Sequence, residues 1–136
     1  GERRRKPVKL LLDTHVFLWI ATNDERLPRE LKTILREPTN DLYLSVVSSW
    51  EIAVKARSGK LVLPMPVWAF ILESRERLGI QSLSIQETAV AHVAKLPSIH
   101  RDPFDRMLVC QAIEHQLTIV TSDSHVQRYP VKSMWA

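Results

Sequence analysis

Short apolar segments that favour strands alternate along this chain with longer segments that favour helices, and this alternation limits the fold more than any other feature. The strand segments are residues 8–12, "DLYLSVV", "IQSLSI", "LTIVTSD" and, near the end, "VKSMWA". Strands that alternate with helices are joined by crossovers and lie parallel in a sheet that is covered by helices. The sequence therefore predicts an α/β fold with a central, mainly parallel sheet.

Six segments between these strands are predicted to be helical. They are "THVFLWIAT", "LPRELKTILREPTN", "SSWEIAVKARSG", residues 66–78, "QETAVAHVAKLP" and a segment that runs from Asp102-Pro103 to about Gln116. The second is amphipathic, since its leucines and isoleucine recur on one face. The third is predicted to begin at Ser48, with Glu51 reaching back in a capping box, and to end at Gly59.

The length and the charge of the chain set its organisation. With 136 residues it is predicted to form one domain, residues 8–136, behind a basic N-terminal tail, residues 1–7. The net charge is +4, from 19 Lys and Arg against 15 Asp and Glu. The block of residues 3–6 equals this excess, and it is either a solvated tail or a segment that binds an anionic partner such as nucleic acid.

The cysteine content and the length of the apolar runs indicate the compartment. Cys110 is the single cysteine, so no internal disulfide can form, and we expect a core residue in a protein of the reducing cytoplasm. The apolar runs are far shorter than the ~20 residues that a membrane span needs. We therefore expect no contact with a membrane.

Several familiar catalytic patterns are missing. There is no HExxH or Cys/His zinc spacing, no nucleophile elbow, and too few glycines for a loop that cradles phosphate. "HRD" at residues 100–102 is not a kinase loop, because Met107 stands where that motif has Asn. The five histidines are interpreted as surface or core residues, although His15 and His125 lie beside acids. The four tryptophans are expected in the core or at an interface.

Acidic residues gather where an α/β sheet places its ligands, outside the carboxyl ends of the strands. Asp13 follows the first predicted strand and Asp123 ends the fourth. Glu51 lies in the helix after the second strand, and Asp105 lies near the start of the helix that leads into the fourth. These four acids are the candidate site residues.

Each acid also has a structural interpretation. Asp13 and Asp123 can be N-caps of the helices that follow them, and Glu51 can pair with Lys55 one helical turn later. Asp102 precedes Pro103, which suits the first position of a helix, so Asp102 is predicted to be the helix cap.

Asp105 is the acid that a structural role explains least. Its helix is apolar almost all round, which predicts a buried helix, and a buried carboxylate must be hydrogen-bonded, paired or bound to a metal. Carboxylates from four segments favour a hard divalent cation such as Mg²⁺ or Mn²⁺, which prefers oxygen ligands and can activate water at a phosphodiester.

Four stretches together, "LLLDTHVFLW", "SSWEIAVKARSGKL", "HRDPFDRMLVCQA" and "LTIVTSD", resemble the PIN domain. Among its members the chain is most similar to the VapC-like toxins of bacterial type II toxin–antitoxin pairs. The resemblance implies a three-layer α/β/α sandwich and a Mg²⁺- or Mn²⁺-dependent ribonuclease. It assigns the catalytic, metal-holding acids to Asp13, Glu51, Asp105 and Asp123, with small hydroxyl residues in support at Thr14 and at Thr121 or Ser122.

The resemblance also implies partners, namely an RNA substrate, a second copy of the chain and a cognate antitoxin protein. Two alternatives remain open. One is a PIN-type nuclease that cuts DNA or a particular nucleic-acid structure. The other is a module without catalysis, in which the acids only cap helices and the basic tail binds nucleic acid.

Overall fold

A computed structural model describes residues 6–100 and 102–135, and within them five strands form one parallel sheet. The strands are β1 (Lys9–Leu12), β2 (Asp41–Ser45), β3 (Ile80–Leu83), β4 (Thr118–Val120) and β5 (Ser133–Met134), in the order β3-β2-β1-β4-β5. Every neighbouring pair is parallel. The predicted α/β class is therefore confirmed. The basic residues 3–5, and the last residue of the predicted fifth strand, lie outside the described residues.

Helices connect the strands. In the described part of the chain they are α1 (Thr14–Thr22), α2 (Arg29–Arg36), α3 (Val46–Arg57), α4 (Val67–Leu78), α5 (Glu87–Ala91), α6 (Pro103–His115) and α7 (Ser124–Gln127). A 3₁₀ turn, Val93–Lys95, follows α5. Across residues 6–100 and 102–135, no helix is both long and apolar enough to cross a membrane.

The central strand β1 explains the layers. Successive side chains of a strand point to opposite faces, and Leu10, Leu11 and Leu12 are all fully buried. Leu10 and Leu12 pack into a core cluster with side chains of α1, α2 and α4. Leu11 packs on the other face with side chains of α6. Helices therefore cover both faces, as expected of a parallel sheet, and the predicted three layers are confirmed.

The junction between β2 and α3 differs from the prediction. The strand ends at Ser45, and Val46 and Val47 are helical. The Ser45 side chain accepts a hydrogen bond from the Val47 amide at 3.0 Å, so Ser45 is the N-cap. Ser48 lies inside the helix, and the predicted capping box between Ser48 and Glu51 is wrong, because the earlier serine already caps this end.

Five other predicted elements are shorter in the structure, and two of them are the second helix, predicted within residues 27–40, and the fifth strand, predicted within residues 131–136. The third strand ends at Leu83 instead of residue 85, and the fourth ends at Val120 instead of Asp123. The helix predicted over residues 86–97 consists of α5 and the 3₁₀ turn. The fourth strand ends early because its partner β1 ends at Leu12, opposite Val120. The predicted bounds of α1, α4 and α6 agree with the structure to within one residue.

The single cysteine and two of the tryptophans test the predicted core. Cys110 is buried and free, as expected. Trp50 and Trp68 are 61% and 62% exposed, so a place in the core of this chain is wrong for both. Their place at an interface stays a prediction.

Candidate functional site

The segments that follow β1, β2 and β4 leave the sheet at the same edge, as parallel strands require. Asp13 comes directly after β1, and α3 begins directly after β2. The Asp13 amide donates to the Val120 carbonyl at 3.1 Å, which joins the ends of the neighbouring strands β1 and β4. Three residues after β4 lies Asp123. The predicted acids therefore converge on this edge.

Asp13 both caps a helix and belongs to the acidic group. Its Oδ1 accepts a hydrogen bond from the Val16 amide at 2.8 Å, which makes it the N-cap of α1. The side chain is buried, and this burial raises the pKa of Asp13, as does the nearby charge of Asp123. Hydrogen bonds from Thr121 and from the Val16 amide act in the opposite direction. The capping role thus does not remove Asp13 from the site.

Glu51 is buried and is held at both carboxylate oxygens. Its Oε1 accepts from the Thr14 hydroxyl at 2.6 Å, and its Oε2 lies 2.6 Å from Lys55 Nζ. The predicted pairing with Lys55 is confirmed. Ser48, which was expected to cap α3, is a buried hydroxyl 2.9 Å from the Thr14 hydroxyl. Thr14 and Ser48 therefore hold the first turn of α1 against α3.

Asp102 caps α6, as predicted. Its Oδ1 accepts from the amides of Phe104 at 2.8 Å and of Asp105 at 3.3 Å, with Pro103 in the first helical position. This geometry satisfies two of the amides that a helix start leaves without partners. Asp102 is therefore a helix cap in the structure.

Asp105 lies in a strongly perturbed environment. Its side chain is 19% exposed, so the first turn of α6 is less buried than the apolar pattern predicted. Burial raises the pKa of Asp105 to about 7, and the charges of Asp102, Glu51 and Asp13 add to the effect. The partner that this carboxylate required is His100, whose Nε2 lies 3.0 Å from Asp105 Oδ2.

Asp123 lies on the other side of His100. Its Oδ2 is 3.6 Å from His100 Nε2, and its Oδ1 accepts from the His125 amide at 2.8 Å, so Asp123 also caps α7. The Asp123 amide donates to the Thr121 hydroxyl at 3.0 Å. Ser122 is exposed. Of the two hydroxyl residues predicted near this acid, Thr121 is the one with a contact to it.

The tightest group of possible metal ligands in the described part of the chain is therefore two acids and a histidine. One ligand atom each from His100, Asp105 and Asp123 lies within 4.8 Å of the others. Asp13 and Glu51 are close enough to influence the pKa of Asp105, but they are not members of this group.

The sequence interpretation missed His100, which it took for a surface or core residue. The ring is only half-buried, and it faces the candidate acids. A signal was present in "HRDPFD", since a histidine stands just before a capped helix whose third residue is a candidate acid. The position of this histidine in the sequence does not by itself predict that its ring faces Asp105.

A basic pocket of about 330 Å³ shares residues with the acidic group's surroundings. Thr14 and Lys55, which bond Glu51, both line it, together with His15, Trp19, Arg26 and Lys60. The Arg26 guanidinium lies over the Trp19 ring, 5.3 Å from its centre. Cations of this kind bind phosphates, and Trp19 is partly buried against the core, where it supports the Arg26 side chain. Basic side chains therefore line a pocket beside the acidic group.

Known proteins resemble the chain in sequence. The family model described as "PIN domain" matches residues 10–132. Ribonuclease VapC22 of Mycobacterium tuberculosis is 29% identical over 122 residues, which cover 88% of this chain and 91% of that protein. Ribonuclease VapC16 of the same organism is 35% identical over 63 residues, which cover 46% of this chain and 45% of that protein.

Solved structures resemble the fold. The structure of VapBC2 from Rickettsia felis, bound to a DNA fragment from their promoter, has a TM-score of 0.71 at 13% identity, over 93% of this chain and 98% of that chain. The structure of VapBC-1 from nontypeable Haemophilus influenzae has a TM-score of 0.64 at 15% identity, over 93% and 97%. At such low identity these two similarities describe the fold alone.

Proposed function

The chain belongs to the PIN domain family, and on that premise we propose that it is a divalent-metal-dependent endoribonuclease, the toxin of a type II toxin–antitoxin pair. The relatives named ribonucleases, similar over most of the chain in the case of VapC22, support the reaction and the RNA substrate. We propose residues 8–136 as the single catalytic domain, with residues 1–7 as a basic tail.

One observation carries the proposal, the crowding of carboxylates around Asp105. A carboxylic acid with a pKa near 7 beside other acids is a group whose negative charge lacks compensation. A divalent cation supplies that compensation, and carboxylate oxygens are the ligands that Mg²⁺ and Mn²⁺ prefer. The residues present therefore fit a cation of this class, and we propose Mg²⁺ or Mn²⁺.

The four acids would have different roles in binding the cation. Asp105 and Asp123 would hold it directly, while Asp13 and Glu51 would hold it directly or through water. When bound, such a cation supplies water activation and neutralises charge that develops on the phosphodiester. Thr14 orients Glu51, and Thr121 supports the acids on its side of the site.

The basic pocket gives the substrate a place beside the acids. Lys60 would contact a phosphate on a flanking nucleotide, since cations of surface side chains bind the backbone of nucleic acids without reading its sequence. Arg26 would contribute less, because its guanidinium already pairs with Asp24 at 2.8 Å. Lys55, already paired with Glu51, would contribute less to phosphate binding and more to the position of that carboxylate.

The test is a cleavage assay on RNA and DNA strands of identical sequence, with Mg²⁺, with Mn²⁺ and with a chelator. We expect cleavage of RNA that requires the metal and that Asp105→Asn abolishes. Asp102→Asn is the matched control, because Asn caps a helix about as well as Asp, and it should cleave RNA at close to the normal rate.

The two alternatives predict different outcomes. Preferential cleavage of the DNA strand would identify a DNA nuclease. Binding of either strand without cleavage, and without any effect of metal, would identify a module whose acids only cap helices.

We propose a cognate antitoxin as the first protein partner, since the chain is similar to Ribonuclease VapC22 and shares its fold with the VapBC structures. The experiment is to identify any small protein encoded next to this one, to co-express the two and to purify the complex. We expect a stable complex that does not cleave RNA. A neighbour that neither binds nor inhibits would contradict this part of the proposal.

A second copy of the chain is the other proposed partner. Val46, Trp50 and Val54 recur at every fourth position along α3 and are 37%, 61% and 46% exposed, which makes an apolar stripe. Such stripes mark surfaces that associate, and aromatic residues are enriched there. Trp50→Lys should therefore convert a dimer to a monomer in light scattering, whereas Trp68→Lys, equally exposed on α4, should not.

A further inference from the structure

The backbone of His100 is held in place by hydrogen bonds to the side chains of Tyr129 and Arg106. Its amide donates to the Tyr129 hydroxyl at 2.8 Å, and its carbonyl accepts from the same hydroxyl at 3.2 Å. Arg106 Nη1 also contacts that carbonyl, at 3.4 Å. Tyr129 is itself buried in the core that faces α6. The loop in front of α6 is thus fixed to the core at this residue, which sets the position of the backbone from which the imidazole projects.

The imidazole points between two candidate metal ligands. His100 Nε2 lies 3.0 Å from Asp105 Oδ2 and 3.6 Å from Asp123 Oδ2. The imidazole of His100 also stacks on that of His125, with ring centres 5.2 Å apart and planes at 27°. Ligands about 2.1 Å from one octahedral cation lie about 3.0 Å from each other, so these spacings suit donors to a single ion.

We infer that His100 is a nitrogen ligand of the same divalent cation, beside Asp105 and Asp123. This inference rests on the proposed metal-dependent function, and it adds a donor that the four-acid description of the site does not include. The alternative is that His100 is a counter-ion, which hydrogen-bonds the two carboxylates and moves aside when metal binds.

A nitrogen donor changes which cation the site prefers. Mg²⁺ is a hard cation that selects oxygen ligands, whereas imidazole suits the first-row transition metals. With His100 in the ligand set, the protein should bind Mn²⁺ much more tightly than Mg²⁺. Removing the imidazole should lower the affinity for Mn²⁺ about tenfold or more, and it should change the affinity for Mg²⁺ far less.

The experiment uses the wild-type protein loaded with Mn²⁺ alone, without RNA. Pulsed electron paramagnetic resonance detects the coupling of bound Mn²⁺ to a directly bound nitrogen, and ¹⁵N-labelled histidine identifies that nitrogen as imidazole. We expect the coupling in the wild type and in His125→Asn, and we expect its loss in His100→Asn. Titration of each variant with Mn²⁺ and Mg²⁺ gives the two affinities, and circular dichroism verifies that each variant is folded.

Each other outcome overturns the inference in a distinguishable way. Bound Mn²⁺ without nitrogen coupling makes His100 a counter-ion and leaves the proposed nuclease intact. Loss of the coupling in His125→Asn, with retention in His100→Asn, assigns the nitrogen to His125. Failure of the wild type to bind Mn²⁺ at all removes the metal site, and the proposed metal-dependent function with it.

Discussion

The Thr14 hydroxyl donates to Glu51 Oε1 at 2.6 Å and so ties the first turn of α1 to the middle of α3. Both side chains are buried. A buried hydrogen bond to a charged acceptor contributes about 1.5–3 kcal/mol, and an acceptor left without its donor costs a similar amount. The position of Glu51 therefore depends on the corner that follows β1, and this dependence can be measured.

Thr14→Val keeps the shape of the side chain and removes the hydroxyl, so it should lower the free energy of unfolding by about 1–3 kcal/mol. Thr14→Ser is the matched control, because it retains the hydroxyl, and it should lose less. The measurement is urea unfolding, with the midpoint compared at constant slope. A loss in Thr14→Val no larger than the loss in Thr14→Ser would show that the hydrogen bond to Glu51 contributes little to stability.

Addition of Mn²⁺ or Mg²⁺ should raise the melting temperature, because a ligand that binds the native state stabilises it by about 2.7 kcal/mol at one hundred times its dissociation constant. Asp13→Asn should retain the cap of α1 and lose most of this gain, together with RNA cleavage. Asp41→Asn, an exposed acid at the start of β2, is the control and should keep both. Equal metal-induced shifts in wild type and Asp13→Asn would sink the prediction.

Asp102 and Asp105 should respond differently to substitution, since one caps α6 and the other faces the proposed cation. Removing a cap costs ~1 kcal/mol, so Asp102→Ala should lower stability modestly and keep much of the cleavage. In metal-free buffer, Asp105→Asn should leave the stability unchanged or raise it, because it removes one charge from a crowded acidic group. The same variant should lose RNA cleavage. Melting without metal and cleavage at saturating Mn²⁺ measure both. The reverse pattern would exchange the two roles.

The stability of the metal-free protein should depend on pH through Asp105. Its pKa is about 7 in the folded protein and 3.8 as a reference, so the folded state binds more protons between these values. Stability therefore falls as pH rises from about 4 to about 7, by up to about 4 kcal/mol. Urea unfolding in a chelating buffer across this range, compared with Asp105→Asn, measures the effect. An increase in the free energy of unfolding of the wild type, relative to Asp105→Asn, as the pH rises would contradict the prediction.

Binding of RNA to the Asp105→Asn protein should weaken steeply with salt, because phosphate contacts release counterions. If residues 3–6 contact RNA, their deletion should flatten the salt dependence of the affinity. Lys60→Ala, in the basic pocket, is a second variant that should lower the slope by about one contact. An unchanged slope after the deletion would make the block a solvated tail.

Local chemistry explains the parts of the fold that the sequence predicted well. The N-cap at Asp102 could be predicted because Pro103 fixes the geometry beside it. The acids Asp13 and Asp123 could be placed at one edge because each follows a β-prone run, and parallel strands end together. These inferences need only neighbouring residues and the rule for parallel sheets.

Long-range contacts explain the parts that the sequence could not predict. In "SVVSSW" three serines compete to cap α3, and the choice of Ser45 depends on where β2 stops pairing with β3, since Ser45 lies opposite Leu83. The position of the His100 backbone depends on Tyr129, 29 residues further along the chain. No local sequence pattern could therefore predict either the cap at Ser45 or the contact between His100 and Tyr129.

The central position of β1 has a consequence for synthesis. β1 is made early, yet its second neighbour, β4, begins only at Thr118. Until then one side of β1 has no strand beside it, and Asp123 does not yet exist in the growing chain. Domains fold as units while translation proceeds at ~5–20 residues per second. The four acids therefore cannot meet before Asp123 has been synthesised, so a nascent chain that stops short of this residue carries no complete acidic centre.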